Sequence, residues 1–134
     1  MKVNIALLTV TDTRTIDNDK SGGILVDKIK ESNHNLIDRK ICKDNKNDIV
    51  LILKDWLKNE KIDTIITTGG TGLTGRDITP EALDEIADKH IPGFGEVFRN
   101  ISLKTVGTSA IQSRACAVLS NGKYVFALPG SSGG

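Results

Sequence analysis

The side chains suited to phosphate chemistry are concentrated between Thr67 and Leu83, in TTGGTGLTGRDITPEAL. Four glycines, Gly69, Gly70, Gly72 and Gly75, fall within seven residues around Thr71, and Arg76 and Asp77 follow at once. Glycine tolerates positive φ and lets a ligand come close, so the stretch reads as a loop that exposes peptide N–H groups to an anion. An arginine forks onto phosphate oxygens, and a neighbouring carboxylate can hold a Mg²⁺ that bridges the same oxygens. For an arbitrary Arg-Asp pair a solvated turn is as good a reading, because exposed charges are the norm. The adjoining glycines move the balance towards a site.

Two familiar phosphate motifs are excluded. Gly70 to Gly75 matches G-x-G-x-x-G by letter, but the dinucleotide fingerprint stands at the first strand, runs straight into its helix and is followed about 20 residues on by an acid. Here the motif follows the third strand-like run, the helix waits for Thr79 or Pro80, and Lys89-His90-Ile91 occupies the place of the acid. No Gly-Lys-Ser/Thr ending is present, so a Walker loop is excluded as well.

The elements that position the loop are legible on either side. Ile62 to Thr68 is rich in β-branched residues and predicts a buried strand. Thr79 is suited to cap the following helix, Pro80 to its first position and Glu81 to its first turn. That helix is expected to reach His90, with Leu83 and Ile86 buried. Upstream, Val3 to Val10 is a nearly continuous apolar strand, as expected in a sheet covered on both faces. Its loop carries Asp12 and Arg14, and Ser21 can cap the next helix, so Ser21 and Gly22 are candidate phosphate ligands at a helix amino terminus. Leu36 to Cys42 predicts a second strand at or near an edge because Asp38-Arg39-Lys40 interrupts it. Asp44 stands at the mouth of that strand, before a helix whose stripe of Ile49, Ile52, Leu53, Trp56 and Leu57 assigns Trp56 to the core.

Downstream, Pro92 starts a helix with Phe94, Val97, Phe98 and Ile101 on one face, suited to core or to a subunit interface. Gly107 to Arg114 carries Thr108, Ser109 and Ser113, small hydroxyls able to hydrogen-bond a flat heteroaromatic ring, and Arg114 can meet a phosphate. Ala115–Leu119 and Lys123–Leu128 form an antiparallel pair through an Asn121-Gly122 turn. If the last strand runs parallel to the first three, Pro129, Gly130 and Ser131 arrive beside the glycine loop.

The 134 residues suit one domain with a single core. With 18 basic against 17 acidic side chains, no global field draws in nucleic acid or a membrane surface. No run approaches the ~20 apolar residues of a membrane helix. Cys42 and Cys116 are far apart and lack metal-ligand spacing, as expected of buried free thiols in a reducing cytoplasm.

The GGTG run, Arg-Asp-x-Thr-Pro-Glu-Ala at 76–82, Pro-Gly-Phe-Gly-Glu at 92–96, Gly-Thr-Ser-Ala-Ile-Gln-Ser-Arg-Ala at 107–115 and Leu-Pro-Gly-Ser at 128–131 together resemble the MoaB/Mog family of molybdenum cofactor biosynthesis. Thr-Asp-Thr-Arg at 11–14 and Gln-Ser-Arg at 112–114 are similar to the MoaB branch. The resemblance implies that Asp44 aligns with an active-site aspartate, and that the chain forms a trimer or hexamer. It further implies molybdopterin as ligand and a Mg-ATP-dependent adenylylation of it. A non-catalytic carrier with the same pocket is the alternative. The roles that follow are Asp44 and Asp77 for Mg²⁺ or nucleotide positioning, Gly69 to Gly72 for anion binding, and Arg76 or Arg114 for phosphate charge. The expected fold is a three-layer α/β/α domain with a mostly parallel five-strand sheet and one antiparallel strand. The sequence given ends at Ser131-Ser132-Gly133-Gly134, where similar chains continue into a helix, so a C-terminal continuation is expected.

Overall fold

The computed structural model describes residues 2–71, 73, 75, 77–106 and 114–130. Among these, strands β1 (Asn4–Val10), β2 (Asn35–Cys42), β3 (Thr64–Thr68), β4 (Lys89–His90), β5 (Cys116–Ser120) and β6 (Lys123–Leu128) build one sheet. Helices α1 (Lys20–Glu31), α2 (Lys46–Leu57), α3 (Thr79–Ile86) and α4 (Pro92–Val106) cover it. The strand order is β2-β1-β3-β6-β5-β4. The first four are mutually parallel, and β5 and β4 each run antiparallel to the preceding neighbour.

Alternation along the strands sorts the residues into two faces. Ala6, Leu8 and Val10 join Ile65, Val125 and Ala127 on one face, packed with Ile49, Leu53 and Trp56 of α2 and Leu83 and Ile86 of α3. Ile5 and Leu7 are buried towards the other face. On that side Phe126 meets Phe94 of α4 with ring centroids 5.1 Å apart, and Thr9 reaches the start of α1. Trp56 is 2% exposed, and its Nε1 donates to Asp38 Oδ2 at 3.0 Å, so its one polar atom is satisfied at the margin of the core. Asn121 and Gly122 both have positive φ, 50° and 74°, as a two-residue hairpin requires. None of the described helices is long and apolar enough to cross a membrane.

The three-layer architecture and the parallel sheet agree with the sequence, and four details differ. The sheet has six strands among the described residues, because Lys89 and His90 pair with Leu119 and Val118. Helix α3 therefore stops at Ile86 instead of running to His90. Ala87 turns extended, the Ser120 hydroxyl takes the Ile86 carbonyl at 2.6 Å, and the Asp88 N–H is drawn to Leu119 O at 2.8 Å. Thr79 is the first residue inside α3, not its cap; Ile78 holds that position without a side-chain bond. Asp19, not Ser21, caps α1, its carboxylate accepting from the Gly22 N–H at 3.0 Å. On α4, Phe94 and Phe98 are half-buried while Val97 is 60% exposed, so the stripe is only partly covered within one chain.

Candidate functional site

Because β1, β2, β3 and β6 run the same way, their carboxyl ends share one rim. The chain leaves β1 for β2 on one side, and β3 lies on the other. That reversal is the topological position at which open α/β sheets take their ligands. The loops after all four strands meet there. The Asp44 N–H donates to Asp12 Oδ1 at 3.0 Å, tying the β2 loop to the β1 loop. The Thr68 hydroxyl donates to Pro129 O at 3.0 Å, and the Gly69 N–H donates to Leu128 O at 2.8 Å, tying the β3 loop to the β6 loop.

The glycines at this junction are required by close approach. Gly69 and Gly70 have φ of 104° and 69°. A side chain at Gly69 would put its first carbon 2.3 Å from Val10 O, and one at Gly70 would put it 2.4 Å from Thr79 Oγ1 and 3.1 Å from Asp44 Oδ1. At Gly130 the same carbon would lie 3.1 Å from Gly69 Cα. Asp44, Gly70, Thr79, Gly69 and Gly130 thus form one contiguous cluster.

The start of α3 sets the orientation of this loop. The Thr79 hydroxyl donates to Gly69 O at 2.9 Å, the Thr79 N–H donates to Gly70 O at 3.1 Å, and the Arg114 N–H donates to Thr71 O at 2.7 Å. In a planar trans peptide the N–H points opposite to the carbonyl of the same unit. Fixing the carbonyls of Gly69 and Gly70 against Thr79 therefore turns the N–H groups of Gly70 and Thr71 away from α3.

The Arg114 side chain is already engaged beside this loop. Its guanidinium forks onto the carboxylate of Glu81, with Nη2 to Oε1 at 3.0 Å and Nη1 on Oε2, and Nη2 also donates to the Asp77 carbonyl. The hydrogen bond to Glu81, opposed by partial desolvation and helped by the charges of Glu81 and Asp77, holds the guanidinium above its ordinary pKa. Its charge is permanent, and Glu81 offsets it locally.

A second polar corner, at the end of β1, is built around Asp19, which sequence reasoning passed over. Its side chain is fully buried. It accepts from Thr9 Oγ1 at 2.5 Å, Gly22 N at 3.0 Å, Arg39 Nη2 at 3.3 Å and Ser21 Oγ at 3.4 Å, with Arg14 Nη1 at 4.0 Å. Burial pushes this carboxyl up, but the Thr9 hydroxyl, the Gly22 N–H and the Arg39 charge together outweigh it and hold it below the ordinary carboxylate value. A side chain at Gly22 would put its first carbon 2.0 Å from Asp19 Oδ2. Ser21 and Gly22 therefore serve this internal carboxylate. The available signal was an aspartate two residues before a predicted helix start, the usual place of a cap.

Cys42 and Cys116 are free and half-buried. Burial, with Asp48 and Asp44, pushes the Cys42 thiol up to about 12. Burial and Asp84, against Arg114 and Arg99, put Cys116 at about 11. Neither supplies a thiolate at neutral pH. The Pro92-to-Glu96 motif contributes Pro92, Gly95 and Glu96 to a hollow of ≈ 260 Å³, with Arg99 and Cys116. Arg99 Nη1 donates to Ala115 O there at 2.9 Å. Gly72, Arg76, Ser109, Ser113 and Ser131 lie outside the described residues.

A family model described as "Probable molybdopterin binding domain" matches residues 6–134. Molybdenum cofactor biosynthesis protein B of Escherichia coli K12 is 42% identical over 128 residues, 96% of this chain and 75% of that protein. The protein of the same name from Staphylococcus aureus MRSA252 is 46% identical over 134 residues, 98% of this chain and 79% of its own length. A crystal structure of molybdenum cofactor biosynthesis protein B superposes with a TM-score of 0.96 at 43% identity, covering 99% of this chain and 83% of that one. The tungsten cofactor synthesizing protein MoaB from Pyrococcus furiosus superposes at 0.87 with 34% identity, covering 98% and 84%.

Proposed function

The chain belongs to the molybdopterin-binding family of molybdenum cofactor biosynthesis proteins, and from that premise we propose that its glycine-lined rim binds molybdopterin and adenylylates it with Mg-ATP. The observation that carries this reading is the meeting of the Asp44 carboxylate with Gly70, and of Gly69 with Gly130, where the strand ends come together.

In the proposed reaction a terminal phosphate oxygen of the pterin forms a bond to the α-phosphorus of ATP. The bond from that phosphorus to the bridging oxygen breaks, and pyrophosphate leaves with the electron pair. Such a transfer depends on positioning and charge neutralisation rather than on a covalent nucleophile. That requirement agrees with a rim whose two described cysteines are held in the thiol form. The Gly70 and Thr71 N–H groups receive a phosphate, and Pro129 and Gly130 face them. The sequence further assigns Gly72 and Arg76 to phosphate, Ser109 and Ser113 to the heteroaromatic ring, and Ser131 to the second glycine turn.

The donor set fits Mg²⁺ in the form carried by nucleotide phosphates. Asp44 and Asp77 offer carboxylates from two loops of the rim, whereas no cluster of three or more acidic, histidine or cysteine side chains occurs among the described residues. Magnesium is commonly bound through one or two carboxylates plus substrate phosphates. Once bound it would neutralise phosphate charge and polarise the α-phosphate. Asp44 and Asp77 would orient it and the nucleotide.

One observation favours the second reading, a carrier that binds the pterin without transferring to it. Arg114, one of the two cations assigned to phosphate charge, is already paired with Glu81. Incubating the protein with molybdopterin, ATP and Mg²⁺ separates the two. Adenylylated pterin is the expected product, and unchanged pterin supports the carrier. In an Asp77→Asn variant the product is expected to fall about 100-fold or more, since an oriented charge-stabilising group is commonly worth that much. Undiminished product would remove the role given to Asp77.

The same reading places the protein in the cytoplasm as a trimer or hexamer. Such an assembly would give the exposed Val97 on α4 a partner, and light scattering on the eluted protein tests it.

A further inference from the structure

We propose that Glu81 is a positioning residue of this site, acting through Arg114 to fix both Thr71 and Asp77; the proposal rests on the molybdopterin reading above. Arg114 touches each end of the loop, with its backbone N–H on Thr71 O and its guanidinium on Asp77 O. Both attachments belong to one residue. What keeps the guanidinium in that orientation is the Glu81 carboxylate, which takes both of its terminal nitrogens.

A lone arginine side chain carries about 2 kcal/mol of rotamer entropy, and a two-point carboxylate contact supplies the direction that the side chain lacks. Glu81 is itself placed by the first turn of α3, two residues after Thr79, which holds Gly69 O and Gly70 O. The carbonyls of Gly69, Gly70, Thr71 and Asp77 are therefore all held by Thr79 or by the Arg114–Glu81 pair. The loop keeps its N–H groups turned outward only while both anchors hold.

The competing explanation is that Glu81 is only a first-turn carboxylate stabilising the helix dipole, in a half-exposed ion pair worth about 1 kcal/mol or less. That role affects melting and nothing else. The test compares the wild type with Glu81→Ala, Glu81→Gln, Arg114→Ala and the double variant, all in the full chain. Two readouts are taken: hydrogen exchange of the amides from Gly69 to Asp77, and affinity for molybdopterin by fluorescence titration.

Glu81→Ala is expected to speed loop exchange and weaken binding by about tenfold each, as loss of a charge-assisted pair implies, while exchange in α2 is unchanged. Glu81→Gln, which keeps one acceptor, recovers part of both. The double variant is no worse than Arg114→Ala, because the two residues act as one unit. Loop exchange at wild-type rates in Glu81→Ala, or additive losses in the double variant, would overturn the proposal. If the wild type itself binds no molybdopterin, the functional reading fails, and the exchange cycle still decides the role of Glu81.

Discussion

Helices α1 and α3 both begin at the carboxyl rim of the parallel sheet, each beside hydroxyl residues and glycine, yet their polar groups are spent differently. At α1 the donors turn inward. The Gly22 N–H, the Ser21 and Thr9 hydroxyls and Arg39 converge on the buried Asp19 carboxylate. At α3 the cap position holds Ile78, with no side-chain bond, and the helix instead holds carbonyls of the preceding loop through Thr79. The first corner carries its own anion; the second is the one proposed to receive an anion from outside. A glycine beside a helix start thus has two meanings, and the position of the nearest carboxylate separates them.

The largest effect expected from this contrast is at Asp19. Asp19→Ala leaves Arg39 charged and largely buried without its partner, and a loss of about 3 kcal/mol or more is expected in urea unfolding. A loss within the range of a surface substitution would show that the α1 corner is not a structural anchor. Gly70→Ala should divide the other way. Strain at positive φ and the clash with Thr79 Oγ1 predict about 1–3 kcal/mol of destabilisation, with molybdopterin binding lost even where the variant remains folded. Binding that survives in Gly70→Ala would separate the glycine loop from the ligand.

A smaller effect is expected in acid. The folded pKa of Asp19 lies below its ordinary value of 3.8. Its contribution is therefore fully present above that value and is lost as pH falls through the lower folded value. Asp19→Asn should make the acid limb of the stability profile shallower, while leaving its slope at neutral pH unaltered. An acid limb of unchanged steepness would assign the acid sensitivity to other carboxylates.

The same contrast explains what could be read from the residues alone. The β1 run, the α2 stripe around Trp56 and the Asn121-Gly122 turn are strong local patterns, and each forms where it was expected. Gly69 and Gly70 were legible because their number and spacing exceed what an ordinary turn needs, and both adopt positive φ. The caps were misassigned because Ser21 and Thr79 are each suited to the role locally, but an aspartate two residues earlier takes the first and a bond to a carbonyl ten residues back occupies the second. Asp19 draws Gly22 on one side, and Gly69 O draws Thr79 on the other. Strand β4 has two residues, too few for any period, and exists because β5 offers an edge. The pairs Asp19 with Arg39 and Glu81 with Arg114 join residues distant in sequence and leave no local trace. Asp44 was reached through family resemblance, not through its own neighbours.

The central claim is that the rim formed after β2, β3 and β6, and not the start of α1, receives the phosphorylated pterin. Titrating ¹⁵N-labelled protein with molybdopterin tests it directly. The account predicts amide shifts concentrated at Asp44, Gly69, Gly70, Thr71 and Gly130, with Ser21 and Gly22 nearly unmoved. Shifts centred on Ser21 and Gly22, with the glycine loop silent, would contradict it.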